Sequence, residues 1–170
     1  MRVITGTARG KRLLSPEGLD TRPTADRVKE AIFNIIQFDV EGRHVLDLFC
    51  GSGQLGIEAL SRGAYSCVFA DMDRRAADIA RKNIESCRFT EQSEVFCSDS
   101  IALLSRMKKG RFGLIFLDPP YKFNLINDCL NKIYKYNPDL KQIKDIEKIE
   151  INKNRLTKED VVNIDSSILE

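Results

Sequence analysis

The feature that most constrains this 170-residue chain is Gly51-Ser52-Gly53-Gln54-Leu55-Gly56, a G-x-G-x-x-G run after a β-type stretch and before a helical one. Glycines at these positions let a strand turn sharply into a helix. They also let the backbone approach a ligand where a Cβ would clash. Such a loop belongs at the first crossover of an open α/β sheet, and the chain around it alternates accordingly. Strand-type runs at 44–49, 66–71, 94–97 and 112–117 are separated by helical patterns at 54–61, 74–87 and 101–107, and a further helical pattern follows at 125–133. Residues 112–117 (FGLIFL) are apolar almost throughout, as a central parallel strand covered on both faces should be. Short connections between alternating elements predict parallel βαβ units in a doubly wound, mostly parallel Rossmann-like sheet.

Two flanking segments stand outside this alternation. Residues 1–14 read as a hairpin around Ala8-Arg9-Gly10, and a helix is expected over 24–37 with Thr24 as N-cap. Residues 137–170 form a divergent C-terminal tail with apolar residues on neither a clean 3.6 nor a clean 2 period; short strands at 148–152 and 161–164 are its only candidates for regular structure. One α/β unit over 1–136 and an appended tail are therefore expected.

The acidic residues around the glycine loop select its ligand. Asp71, ending the second strand, is placed to bind ribose hydroxyls through its carboxylate, which suits either a dinucleotide or S-adenosylmethionine. Asp47 lies four residues before Gly51. A carboxylate there would repel a pyrophosphate but attract the ammonium and sulfonium of S-adenosylmethionine, which is the cofactor expected. Asp118-Pro119-Pro120-Tyr121 follows directly on the central strand, and strand C-termini in such sheets share one crevice. These residue types suit methyl transfer to a planar exocyclic amine. The Asp118 carboxylate and the Pro119 carbonyl can accept its two N–H bonds, two prolines fix the acceptors, and the Tyr121 ring can stack on a base.

RPTADRVKEAIFNII (22–36), VLDLFCGSGQLGIEALSRGA (45–64) and LIFLDPPY (114–121), in this order, resemble the bacterial 16S ribosomal RNA (guanine-N2)-methyltransferases, a family of class I S-adenosylmethionine-dependent enzymes. The resemblance covers about residues 1–136. It implies that Asp47, Phe49, Gly51 and Gly53 line the methionine end of the cofactor, that Asp71 holds the ribose, and that Asp99 contacts the adenine amine. It also makes Asp118, Pro119, Pro120 and Tyr121 the catalytic motif. After Tyr136 the chain departs from the family's pattern: the Gly-Gly turn, the fifth parallel strand ending in an acid and the final hairpin are not recognisable. Either the tail supplies divergent strands or the sheet lacks part of an edge.

The substrate expected is a guanine of 16S ribosomal RNA, within naked RNA or an assembled small subunit. Arg2, Arg9, Lys11 and Arg12 give the first fourteen residues four positive charges and no acid. Beside a nucleotide-modifying site, Arg9, Lys11 and Arg12, joined by Arg22, read as a phosphate-contacting set. A net charge of only +2 excludes nothing about such a local patch. The single histidine, His44, starts a strand and reads as structural, since amine methylation needs no strong base. Five cysteines at 50, 67, 87, 97 and 129 include no C-x-x-C pair, so neither a zinc site nor a disulfide framework is expected, and they read as small packing residues. No apolar run suggests a signal peptide or a membrane span. A cytoplasmic monomer without a metal fits these features. The competing readings are a DNA adenine-N6 methyltransferase, which shares the Asp-Pro-Pro-Tyr motif, and a non-catalytic cofactor- or RNA-binding remnant.

Overall fold

The computed structural model describes residues 1–15, 26–108, 110–119, 125–136 and 161–163. Arg22, Thr24, Pro120 and Tyr121, and the strand expected at 148–152, lie outside the described residues. The elements run α1 (Asp26–Ile35), β1 (His44–Asp47), α2 (Gln54–Ser61), β2 (Ser66–Asp71), α3 (Arg74–Ser86), a 3-10 turn (Thr90–Gln92), β3 (Ser93–Cys97), α4 (Ser100–Arg106), β4 (Leu114–Leu117), α5 (Leu125–Tyr136) and β5 (Val161–Asn163). The sheet has the order β3-β2-β1-β4-β5, every neighbouring pair parallel. Reversal of winding at β1 makes this a doubly wound sheet with its switch point between β1 and β4.

Alternation along the strands fills both faces. Val45, Cys67, Phe69, Leu114 and Phe116 join one apolar cluster with Phe33 of α1, Leu55, Ile57 and Leu60 of α2, and Ala80 and Ile84 of α3. Their neighbours Leu46, Val68, Ala70, Ile115 and Leu117 join a second cluster with Leu103 and Leu104 of α4 and Cys129, Leu130 and Ile133 of α5. All four residues of β4 are buried, as its unbroken apolar run predicts. β3 is the outer strand beside β2 and is half exposed, so Cys97 lies at the surface. This corrects one expectation: four cysteines pack as small hydrophobes, but Cys97 does not, because an edge strand leaves alternate side chains in solvent. His44 is exposed at the strand ends opposite the glycine loop, hydrogen-bonded through Nδ1 to Ser66 Oγ at 2.8 Å and edge-on to Tyr65. It is structural, as expected.

Of the two flanking segments, the N-terminal one differs from the simplest reading, while the strand expected at 161–164 is present. The N-terminal arm is a hairpin only at its base. Arg2 and Arg12 form one antiparallel bridge, the Val3 N–H donates to the Lys11 carbonyl at 2.9 Å, and the Gly10 N–H donates to the Val3 carbonyl at 2.8 Å. Residues 4–8 leave the ladder and lie on α2, where the Thr7 N–H donates to the Ser61 carbonyl at 2.8 Å. Gly6 makes this possible: with φ +86°, any Cβ there would fall 1.7 Å from the Ser61 carbonyl oxygen. At the other end of the chain, Val161–Asn163 pairs in parallel with Ile115–Leu117, so the tail supplies a fifth strand against β4. No helix among the described residues is long and apolar enough to cross a membrane.

Candidate cofactor and catalytic site

Strand register brings three carboxylates to one edge of the sheet. Asp47 is level with Phe69 of β2 and Phe116 of β4. Asp71 and Asp118 therefore stand two residues further out, one on each side of the β1 axis. The chain beyond β1 stays tied to both neighbours, with the Leu48 N–H donating to the Phe116 carbonyl at 3.1 Å and the Cys50 N–H to the Ala70 carbonyl at 2.9 Å. The glycine loop thus opens in the crevice at the switch point.

Two of the carboxylates hold the loop. Gly51 (φ +51°) and Gly53 (φ +79°) are in left-handed conformations, and an added Cβ on Gly51 would meet nothing within 4 Å, so this glycine faces open space. The Gly51 N–H donates to Asp71 Oδ2 at 2.9 Å, while Asp71 Oδ1 accepts from the Asp73 N–H at 2.9 Å. The Gly56 N–H, in the first turn of α2, donates to Asp47 Oδ2 at 3.0 Å. Gly56 also permits close helix–strand packing, since a Cβ there would lie 2.3 Å from Phe69 Cε1.

Electrostatically, the crevice gathers negative charge. Asp47 is 2% exposed. Burial pushes its carboxyl from 3.8 up to about 7; the Gly56 N–H opposes the rise, and the negative charges of Asp118 and Asp71 add to it. Burial likewise raises the pKa of Asp71 against the pull of its two backbone donors. A buried carboxylate with two half-buried ones beside it suits a cationic ligand, and the open face at Gly51 is a space a ligand can fill. Both features fit the ammonium, sulfonium and ribose of S-adenosylmethionine.

The other expected residues divide. Asp99 is exposed and caps α4, its Oδ1 accepting from the Ala102 N–H at 2.9 Å. Phe49 is half-buried and packs against the cluster beneath α4 and α5. Asp118 and Pro119 follow β4 directly, Pro119 buried. Arg9, Lys11 and Arg12 are exposed on the arm, whereas Arg2 pairs with Asp26 of α1 at 3.4 Å. The arm reaches the crevice: the Ser52 hydroxyl contacts Met1 Sδ at 3.4 Å, and the buried Asn83 joins Leu14 to the loop. The Asn83 side chain accepts from the Leu14 N–H at 2.7 Å and donates to the carbonyls of Leu14 at 3.0 Å and Ser52 at 2.9 Å. Sequence reading missed Asn83, an asparagine within an otherwise ordinary amphipathic helix. Met72, beside Asp71, is 76% exposed. Among the described residues no group of His, Cys, Asp or Glu could hold a metal ion.

Comparison with known proteins agrees with this architecture. The family model described as "Conserved hypothetical protein 95" matches residues 1–161. The chain is 44% identical over 138 residues to "Putative rRNA methyltransferase YlbH" of Bacillus subtilis, covering 80% of this chain and 75% of that one. It is 39% identical over 141 residues to "Ribosomal RNA small subunit methyltransferase D" of Haemophilus influenzae, covering 81% and 72%. Among solved structures, "Putative methyltransferase yhhF from Escherichia coli" superposes with a TM-score of 0.72 at 30% identity, over 81% of this chain and 73% of that one.

Proposed function

The chain belongs to the conserved hypothetical protein 95 family, and on that premise we propose that it methylates the N2 amine of a guanine in 16S ribosomal RNA. It is an S-adenosylmethionine-dependent ribosomal RNA methyltransferase with a class I, Rossmann-like fold. The names of its relatives weigh against a DNA adenine methyltransferase and against a non-catalytic remnant. The observation that carries the reading is the joint placement of Asp47, Asp71 and Asp118 around the glycine loop at the switch point.

In this reading Asp47 and the loop at Gly51 and Gly53 receive the methionine end of the cofactor. Phe49 walls that end from the α4 side. Asp71 keeps lone pairs free for ribose hydroxyls while its backbone bonds hold the loop in shape. The exposed Met72 side chain would lie against the adenine, and Asp99 would offer an acceptor to its amine. When bound, the cofactor supplies an electrophilic methyl group on a sulfonium. The guanine must be unpaired or turned out of its helix, because its amine is otherwise engaged in pairing.

That amine is a poor nucleophile while its lone pair is delocalised into the ring. Asp118 and the Pro119 carbonyl accept its N–H bonds and favour a pyramidal nitrogen with the lone pair free; Pro120 fixes the turn and Tyr121 stacks on the base. After transfer the ammonium-like nitrogen is acidic, and Asp118 or water takes the proton without a dedicated strong base. Arg9, Lys11, Arg12 and Arg22 contact phosphates. The methyltransferase unit comprises residues 1–136, with β5 of the tail added to its sheet, and the protein acts in the cytoplasm as a monomer. Asp118→Ala tests the mechanism: methyl transfer should fall by about 10²–10³ with cofactor affinity within a few fold. Parent-level turnover in that variant would remove Asp118 from the chemistry.

A further inference from the structure

α2 is eight residues long, and all eight are buried. One side meets the sheet through Gly56, whose N–H reaches Asp47 at the cofactor site. The opposite side is covered by the N-terminal arm, and at the centre of that contact lie two ionisable groups with no exposure, Glu58 of α2 and Lys29 of α1. Their charged atoms are 3.6 Å apart. Neither faces the crevice, and the reaction as described gives them nothing to do.

Both side chains bond the backbone of the arm, and Glu58 Oε1 also accepts from Arg62 Nε at 2.9 Å. Glu58 Oε2 accepts from the Ile4 N–H at 2.7 Å and Oε1 from the Thr5 N–H at 3.0 Å. Lys29 donates to the Arg2 carbonyl at 2.5 Å. Ile4 and Thr5 belong to the stretch where the arm abandons its own hairpin ladder, and Arg2 lies at the end of that ladder, so the ion pair takes over where the strand partner is lost. Burial lowers the pKa of Lys29, and the Glu58 carboxylate beside it opposes that fall. Apolar packing would hold a merely stabilising segment without the desolvation cost of a buried pair. Charge-assisted bonds to three named backbone groups fix a register as well, which packing alone does not.

We propose that Lys29 and Glu58 are positioning residues for the RNA substrate: they set the arm on α2 so that Arg9, Lys11 and Arg12 stand at a defined place relative to the cofactor loop. The same short helix then references the phosphate contacts on one side and the methyl donor on the other. This rests on the ribosomal RNA reading of the site.

The test replaces the two fully buried charges together, Lys29→Met with Glu58→Leu; because this also takes a partner from Arg62, Ser61→Ala is added as a gentler variant that leaves every charge in place. The Ser61 hydroxyl donates to the Thr5 carbonyl at 2.5 Å and accepts from the Ala8 N–H at 3.0 Å, so its loss loosens the same seat. In the double variant, amide exchange at Ile4 and Thr5 should accelerate. KM for 16S ribosomal RNA should rise about tenfold or more and the log–log salt slope of RNA binding should fall, as phosphate contacts are lost. Cofactor affinity and kcat at saturating RNA should stay within about threefold, the split expected when only substrate placement is affected. Ser61→Ala should move KM in the same direction by less, and Lys29→Arg, which keeps the charge, should move it less than the double variant does. Faster exchange with unchanged KM and salt slope would overturn the proposal and leave the RNA reading standing. Absence of methyl transfer to ribosomal RNA by the parent enzyme would overturn both.

Discussion

Asp47 should destabilise the protein it serves. Its carboxyl titrates at about 7 where 3.8 is ordinary, because it is buried beside Asp118 and Asp71 with only the Gly56 N–H in compensation. At 1.36 kcal/mol per pKa unit, keeping it ionised in the empty fold at high pH costs on the order of 4 kcal/mol. The sign follows from proton counting. With a folded pKa above the unfolded one, the folded chain holds the extra proton between about pH 4 and 7, so this group's contribution to stability falls as pH rises through that window. Asp47→Asn removes the cost at high pH only. The amide brings an NH2 that needs a partner and accepts more weakly from Gly56, losses of about 1 kcal/mol each. The net gain expected near pH 8 is thus about 1–2 kcal/mol, or roughly 2–8 °C in Tm for a chain of this size. Calorimetry on parent and variant near pH 5.5 and near pH 8 reads it directly: the gain should appear at the higher pH and shrink or reverse at the lower, while S-adenosylmethionine affinity drops at both. An equal loss of stability at the two pH values would refute the assignment of a strained, cation-seeking carboxylate.

The same carboxylate sets the pH dependence of cofactor binding: because the charged form is required, affinity measured by titration calorimetry should weaken by up to tenfold per pH unit below about 7. Gly56→Ala should destabilise the fold by about 1–3 kcal/mol in denaturant titrations, since its Cβ would enter the space of Phe69 and Cys67. Replacing Arg9, Lys11 and Arg12 together by Ala should weaken RNA binding and reduce the log–log salt slope by somewhat under one unit per lost contact, with cofactor affinity unchanged; an unchanged slope would make the arm's charges ordinary surface.

Much of this was legible in the chain because a few local signals are strict. The glycine run has one good home, between a buried strand and a helix, and 66–71 and 54–61 fall where apolar periodicity places them. The apolar stretch at 112–117 marks the strand next to β1, which puts Asp118 in the crevice with Asp47. What was not legible depends on contacts distant in the sequence. Lys29 and Glu58 each sit in a helix that reads as amphipathic, where a charge signals solvent; burial comes from the arm, 27 residues from Lys29 and more than 50 from Glu58. Asn83 is hidden for the same reason, its partners 69 and 31 residues away. The strand expected at 161–164 is present as β5, Val161–Asn163, but its parallel pairing with β4 is again a contact distant in the sequence.

The central claim is that this crevice delivers a methyl group to the exocyclic amine of a guanine. Small ribosomal subunits and naked 16S ribosomal RNA from a methylation-deficient source, incubated with the enzyme and tritiated S-adenosylmethionine, should acquire label that nucleoside analysis identifies as N2-methylguanosine. Label in N6-methyladenosine, or transfer to DNA in place of ribosomal RNA, would contradict the account.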